Sequence, residues 1–124
     1  MEIKVTIADP KRMKPKPQDD SQLGFGRIFT DHFFIVKHDA GKGWHGPSIE
    51  PIRPLSLDPA SMCLHYGQEI FEGMKAYRGD DDSIYLFRPE ENIKRMTRSA
   101  ERLCMPPMDE GLFMEALKKL VLLE

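Results

Sequence analysis

The chain has 124 residues, of which 40% are hydrophobic and 31% are charged, the composition of one globular domain rather than of a disordered segment. Its formal net charge is −2 and its isoelectric point is about 6.1, which removes any overall electrostatic case for binding nucleic acid or an anionic membrane. No apolar run is long enough to span a bilayer, and residues 1–20 lack the apolar core of a signal peptide.

The first half of the chain has the pattern of short strands and loops. Residues 2–7 alternate between apolar and polar side chains and predict a strand. Residues 8–22 carry three prolines among lysines and predict an extended linker. Residues 27–39 are rich in aromatic and β-branched side chains, and residues 44–53 follow a turn. Together they predict a hairpin, with prolines restricting its second strand to an edge or to irregular geometry.

The middle of the chain predicts a short helix followed by a second hairpin. Asp58 followed by proline has the form of a helix cap, so residues 59–66 predict a helix that ends at Gly67. From residue 70 the period changes to two, and residues 70–78 predict a strand. A polar turn follows, and residues 83–87 predict the partner strand.

The last third predicts two amphipathic helices. Pro89 stands at a favoured first-turn position, and apolar side chains recur at helical spacing at Ile93, Met96, Ala100 and Leu103. Asp109 caps a second helix over residues 110–123, and the chain stops at Glu124 without a Gly or Pro stop signal, which predicts a longer parent chain. These elements predict an α+β fold in which an antiparallel sheet is flanked by helices.

The sequence offers one candidate anion ligand on the first of these helices. Arg95 lies at the border of the apolar stripe, where a guanidinium can bind a phosphate with two parallel hydrogen bonds. The alternative is a solvated face on which Arg95, Arg98 and Arg102 pair with Glu91 and Glu101. On spacing alone, the solvated face is the better prediction.

Three aromatic residues leave a similar choice open. Phe25 stands between two glycines, Tyr66 precedes Gly67, and Phe71 begins the predicted strand. They could line an apolar pocket or pack in the core, and composition alone favours the core. The histidines and cysteines do not stand at the spacing of a metal site, so no metal ligand is assigned.

Two long motifs add information that spacing does not give. The runs LHYGQEIFEGMKAYR and LFRPEENIKRMTRSAERLCMP resemble the branched-chain amino-acid aminotransferases, and the resemblance extends over residues 23–106. That family consists of pyridoxal-phosphate enzymes of fold type IV. The resemblance implies that residues 1–124 form the N-terminal, smaller domain of a cytoplasmic homodimer. It also implies transfer of an amino group from leucine, isoleucine or valine to 2-oxoglutarate, giving glutamate.

The resemblance also implies roles for five residues. Arg95 matches the arginine that holds the cofactor phosphate. Phe25 and Phe71 match aromatics that line the pocket for a branched aliphatic side chain, and Tyr66 matches a tyrosine that reaches the pocket of the neighbouring subunit. Gly73 matches a position where the backbone comes close to the substrate, which a side chain would block.

No catalytic residue is assigned in this chain. In the resembling family the lysine that forms the Schiff base lies in a second domain, and Lys75 and Lys94 stand in first-domain motifs that do not match it. We therefore expect the 124-residue chain alone to be inactive and to bind pyridoxal phosphate weakly or not at all. The alternatives are another fold-type IV enzyme, a D-amino-acid aminotransferase or aminodeoxychorismate lyase, or a non-catalytic interaction fragment.

Overall fold

The computed structural model describes residues 1–124, except the side chain of Asp20, and it is a small α+β structure with two sheets and three α-helices. Among the described residues, no helix is long and apolar enough to cross a membrane. The elements in chain order are β1 (Lys4–Val5), β2 (His32–Asp39), β3 (Gly43–Pro51), α1 (Met62–Tyr66), β4 (Ala76–Arg78), β5 (Ile84–Leu86), α2 (Pro89–Arg102) and α3 (Glu110–Leu123).

The chain divides into two compact units. The first consists of Met1–Pro54 and Lys119–Glu124, and the second is Leu55–Lys118. The first unit contains a three-stranded sheet, and the second contains a two-stranded sheet, α1 and α2.

The sheet of the first unit is mixed, with strand order β1-β3-β2, so β3 is the central strand and not the edge strand that its prolines predict. The expected irregularity is present, because the pairing of β2 with β3 shifts register between Ile35 and Lys37. The predicted hairpin is confirmed: β2 and β3 pair antiparallel from His32 opposite Pro51 to Asp39 opposite Gly43. The prediction of a purely antiparallel sheet is wrong, because β1 pairs in parallel with β3. Parallel neighbours need a long connection, and residues 6–42, which include β2, join β1 to β3.

The predicted linker, residues 8–22, is not extended throughout. It contains two short 3-10 helices, Pro10–Arg12 and Asp20–Gln22. Between them, Lys14 is anchored: its Nζ donates to the carbonyl oxygens of Phe29 and Thr30, and its backbone N–H donates to the Asp31 carboxylate. Proline spacing excluded long helices but could not reveal this side-chain anchor.

A buried histidine and the last residue of the chain form a hydrogen-bonded network in the first unit. His32 is 1% exposed, and its Nδ1 lies 2.6 Å from Oε1 of Glu124. Its Nε2 accepts the backbone N–H of Ala8 at 2.8 Å, so Nδ1 carries the proton of the neutral ring and donates it to Glu124. The same carboxylate accepts the backbone N–H groups of Asp31 and His32. Both ring nitrogens therefore have partners.

In the second unit, α1 is shorter than predicted. It begins at Met62, and Asp58 instead closes a turn by accepting the backbone N–H of Ala60 at 2.7 Å. The predicted end is confirmed, because Gly67 follows the helix in the left-handed conformation with φ 57°.

The strand predicted from residue 70 begins only at Ala76. Instead of a neighbouring strand, two side chains bind the backbone of Gly73: its N–H donates to the Glu72 carboxylate, and its carbonyl accepts from Asn92. The period-two pattern of residues 70–75 is therefore not a sheet pattern. The rest of the hairpin is confirmed, with Tyr77 opposite Tyr85.

The two long helices follow the predictions closely. Pro89 opens α2, and Ile93 and Ala100 are buried on its apolar stripe. Asp109 caps α3, since its Oδ1 accepts the backbone N–H of Leu112 at 2.6 Å.

Candidate functional site

The segment between α1 and β4 carries a buried carboxylate that collects donors from α2. The side chain of Glu72 is 7% exposed. It accepts a hydrogen bond from Nε of Arg95 at 2.8 Å, a second from Nη2 of Arg95, and a third from Nδ2 of Asn92 at 3.1 Å. Arg95 and Asn92 are three residues apart and lie on one face of α2, which explains how one carboxylate reaches both.

The same network fixes the backbone of Gly73. Its N–H donates to Oε1 of Glu72 at 3.0 Å, and its carbonyl accepts from Nδ2 of Asn92 at 2.8 Å. A Cβ at Gly73 would lie 3.7 Å from two ring carbons of Phe71, an ordinary van der Waals distance. Folding of this segment therefore does not itself require glycine at this position.

The electrostatics of the pair are those of two ionised groups. The hydrogen bonds from Arg95 hold the pKa of Glu72 below its ordinary value, against the opposing effect of burial. The Glu72 carboxylate raises the pKa of Arg95 in turn. Glu72 is thus a carboxylate at neutral pH, and it acts as an acceptor only.

Arg95 lies at the edge of an open groove of about 550 Å³ in the second unit. Its side chain is 56% exposed, so part of the guanidinium faces solvent even though Glu72 takes two of its donors. The groove combines cationic and apolar side chains, and its lining consists of Glu69, Ile70, Phe71, Arg95, Arg98, Ser99, Arg102 and Leu103.

Arg95 forms a different ion pair from those expected for a solvated helix face. Arg95 does not pair with Glu91 or Glu101; its partner is Glu72, and Glu91 pairs with Lys94 at 3.2 Å. The prediction of a solvated face built on helical ion pairs is therefore wrong for Arg95.

The aromatic residues are not in the core. Phe71 is 82% exposed and lines the groove, while Tyr66 is 77% exposed at the end of α1. Phe25, in the first unit, is 91% exposed between Gly24 and Gly26, which both have positive φ. Composition favoured core packing for these three rings, and that prediction is wrong.

Two members of the network were missed by reasoning from the sequence. Glu72 lies within the strand predicted for residues 70–78 and, like Asn92, has no role in that prediction. The available signal was weak: an acidic residue between Phe71 and Gly73, within an otherwise apolar and glycine-containing run. Among the described residues, no group of three or more His, Cys, Asp or Glu side chains could hold a metal ion.

Comparison with known proteins supports the resemblance seen in the motifs. Branched-chain-amino-acid transaminase 1 of Bacillus subtilis is 58% identical over 111 residues, 90% of this chain and 31% of that protein. Branched-chain-amino-acid aminotransferase 2 of the same organism is 50% identical over 122 residues, 98% of this chain and 33% of that protein. The cytosolic branched-chain-amino-acid aminotransferase of Saccharomyces cerevisiae is 45% identical over 119 residues, 96% of this chain and 31% of that protein.

The predicted resemblance is confirmed over nearly the whole chain, which spans about a third of the length of these curated relatives. No family model matches the sequence.

Proposed function

We propose that this chain is the first-domain part of a branched-chain amino-acid aminotransferase of fold type IV. In the parent protein, an amino group would pass from leucine, isoleucine or valine to pyridoxal phosphate and then to 2-oxoglutarate, giving glutamate. The observation that carries the proposal is a coincidence of two results. The chain is 58% identical to a transaminase over 111 residues, and two residues of the matched motifs, Phe71 and Arg95, line one groove.

The residues present fit the phosphate of the cofactor. A guanidinium has five N–H donors, and Glu72 takes two from Arg95, on its Nε and Nη2. Among the described residues, none accepts from Nη1, so the outer edge of the guanidinium can bind a second anion with two parallel hydrogen bonds. Pyridoxal phosphate, when bound, supplies the electron sink of the reaction.

The exposed aromatics fit a pocket for a branched aliphatic side chain. Phe71 presents an exposed ring beside Ile70 and Leu103 in the groove. Burying a methylene group of the substrate against such a surface stabilises the complex by about 0.8 kcal/mol. In the proposal, Phe25 and Tyr66 add further apolar contact, with Tyr66 facing the pocket of a second subunit, and the backbone of Gly73 approaches the substrate.

The proposal leaves proton transfer to residues outside this chain. The lysine that moves the proton is expected in a second domain, and neither Lys75 nor Lys94 is assigned that role. Here, Lys94 pairs with Glu91 on the surface of α2. The 124-residue chain alone is therefore expected to be inactive, and the parent protein is proposed to be a cytoplasmic homodimer. Two of the relatives carry the word cytosolic in their names.

A chimera tests this proposal. The 111 residues of this chain that match Bacillus subtilis transaminase 1 replace the corresponding segment of that enzyme. We expect the chimera to bind pyridoxal phosphate, with the absorbance band of the bound cofactor, and to transaminate leucine, isoleucine and valine. The isolated chain, assayed in parallel, is expected to show no turnover.

The other outcomes separate the alternatives. Activity of the chimera with D-alanine or aminodeoxychorismate, but not with leucine, would identify another fold-type IV enzyme. A chimera that folds but neither binds the cofactor nor turns over any of these substrates would contradict the proposal and favour a non-catalytic domain.

A further inference from the structure

The guanidinium of Arg95 donates two hydrogen bonds to the carboxylate of Glu72, which has little contact with solvent. Arg95 is 56% exposed, while Glu72 is 7% exposed, so the pair has one buried end and one open end. The buried end is Glu72. The open end is the outer edge of the guanidinium, and Arg95 is one of the residues that line the groove.

Glu72 is poorly placed to bind an anionic ligand itself. Its two oxygens accept from Nε and Nη2 of Arg95, from Nδ2 of Asn92 and from the backbone N–H of Gly73. Oε1 accepts three of these hydrogen bonds and Oε2 accepts the one from Nε of Arg95, and the Glu72 side chain is only 7% exposed. A carboxylate has no hydrogen to donate to an anionic ligand. Any influence of Glu72 on a ligand must therefore act through the groups that it holds.

The geometry of this contact sets the direction in which Arg95 points. Glu72 engages the side of the guanidinium formed by Nε and Nη2, which leaves Nη1 and the second hydrogen of Nη2 on the outer edge. An arginine side chain loses much rotational freedom when it binds an anion. Glu72 removes that freedom before the anion arrives, as a preorganised site requires.

We propose that Glu72 is a positioning residue, which fixes the outer edge of Arg95 toward the phosphate of the cofactor and holds the Gly73 backbone in the same frame. The inference rests on the proposed function for the identity of the anion. The lowered pKa of Glu72 supports it, because the carboxylate stays charged wherever the enzyme would operate.

The same contacts are also compatible with a competing role for Glu72. The two roles predict opposite changes in phosphate affinity when Glu72 is neutralised. If Glu72 only competed with phosphate for Arg95, neutralising Glu72 would strengthen phosphate binding. If Glu72 positions Arg95, neutralising it weakens binding, since the guanidinium must then be ordered by the ligand itself.

The first measurement uses the 124-residue chain. Nuclear magnetic resonance of the Arg95 Nε–Hε group reports whether the guanidinium is held. We expect a sharp, exchange-protected signal that broadens or disappears in Glu72→Gln. It should persist in the matched control Glu91→Gln, because Glu91 pairs with Lys94 on the same helix. An unchanged Arg95 signal in Glu72→Gln would overturn the inference.

The second measurement uses the chimera and pyridoxal phosphate. We expect Glu72→Gln to raise the dissociation constant of the cofactor about tenfold, with kcat nearly unchanged at saturating cofactor. Glu72→Asp, which keeps the charge on a shorter side chain, should lose less affinity than Glu72→Gln. It also provides the test if Glu72→Gln does not fold. Affinity that rises or stays constant in the folded variant would overturn the inference, whereas an inactive unsubstituted chimera would contradict the proposed function instead.

Discussion

Each unit contains a carboxylate with little solvent exposure that holds a basic side chain, and the two basic side chains differ in their exposure. Glu124 in the first unit is 17% exposed and holds His32, whose side chain has no exposure at all. Glu72 in the second unit is 7% exposed and holds Arg95, whose side chain is 56% exposed. One carboxylate binds a partner that solvent does not reach, and the other binds a partner that faces a groove.

His32 and Arg95 also differ in how many hydrogen-bonding groups they have left for a ligand. His32 uses both ring nitrogens within the fold, one toward Glu124 and one toward the backbone of Ala8. Arg95 gives two of its five donors to Glu72. We infer that the first network stabilises the fold and that the second presents a charged group to a ligand. Substitutions in the two networks should therefore separate stability from binding.

The largest expected effect is on stability, in the hydrogen-bonded network of His32 and Glu124. His32→Ala leaves the buried N–H of Ala8 without an acceptor, removes the side-chain donor to Glu124 and opens a cavity where the ring was. We expect the free energy of unfolding of the chain to fall by about 3 kcal/mol, as measured by urea denaturation.

The matched control is His45→Ala, which removes a side-chain hydrogen bond of similar length, 2.7 Å, to an Asp39 side chain that is 64% exposed. It should lower the free energy of unfolding by about 0.5 kcal/mol. Equal losses in the two variants would show that the His32 network is not special and would remove one side of the comparison.

The next effect is on binding, in the hydrogen-bonded network of Glu72 and Arg95. Arg95→Ala in the chimera should weaken pyridoxal phosphate binding by roughly 10- to 100-fold, the contribution of two charge-assisted hydrogen bonds. Thermal stability should also fall, because the substitution leaves the Glu72 carboxylate, which is 7% exposed, without its charged partner, so affinity is compared at a temperature where the variant is folded. Arg98→Ala, on the same groove, serves as control and should retain most of the affinity. If the two variants lose the same affinity, Arg95 is not the specific phosphate ligand.

A third prediction concerns Gly73, whose backbone is hydrogen-bonded to Glu72 and Asn92. Gly73→Ala should change the free energy of unfolding by less than about 0.5 kcal/mol, because the added Cβ meets only ordinary contacts. It should nevertheless lower kcat/KM for leucine in the chimera at least tenfold, since the proposal brings the substrate against this backbone.

Gly79→Ala is the opposite case and provides the control. Its added Cβ would lie 2.9 Å from both the Asp81 carboxylate and the Tyr85 ring, so the β4–β5 turn must shift. We expect a loss of about 1 kcal/mol in stability and little effect on kcat/KM. A Gly73→Ala variant with unchanged kcat/KM would show that the Gly73 backbone does not lie close to the substrate.

The smallest effect is the pH dependence of the Glu72–Arg95 pair. The pKa of Glu72 is lowered in the fold, so its contribution to stability is fully present above the pKa of the unfolded chain. That contribution is lost as the pH falls through the lower, folded pKa. The protected Arg95 Nε–Hε signal should therefore survive as the pH falls past the ordinary pKa of glutamate. It should disappear only when the pH falls through the lower pKa of Glu72 in the fold. Loss of the signal at a higher pH would contradict the assigned charge state.

Much of the local structure could be predicted from the sequence, because it depends on local chemistry. Pro89 and the stripe of Ile93 and Ala100 determine α2, and the Asp109 cap determines the start of α3. The hairpin of β2 and β3 follows from the aromatic and β-branched pattern. In each case the residues that decide the structure lie within a few positions of one another.

The errors come from contacts between distant residues. The strand expected from residue 70 fails because Asn92, 19 residues after Gly73, takes its carbonyl. The partner of Arg95 was missed because Glu72 lies 23 residues away, and no local spacing rule reaches that far. The exposure of Phe25 and Phe71 was also beyond composition, which favours the core for any large aromatic residue.

The most direct test of the central claim is a crystal structure of the chimera with pyridoxal phosphate. We predict a phosphate oxygen within hydrogen-bonding distance of the outer edge of Arg95, at about 2.8 Å, while Glu72 still binds Nε and Nη2 on the other side. Cofactor phosphate bound away from Arg95, or Arg95 turned away from Glu72 to reach it, would contradict the account.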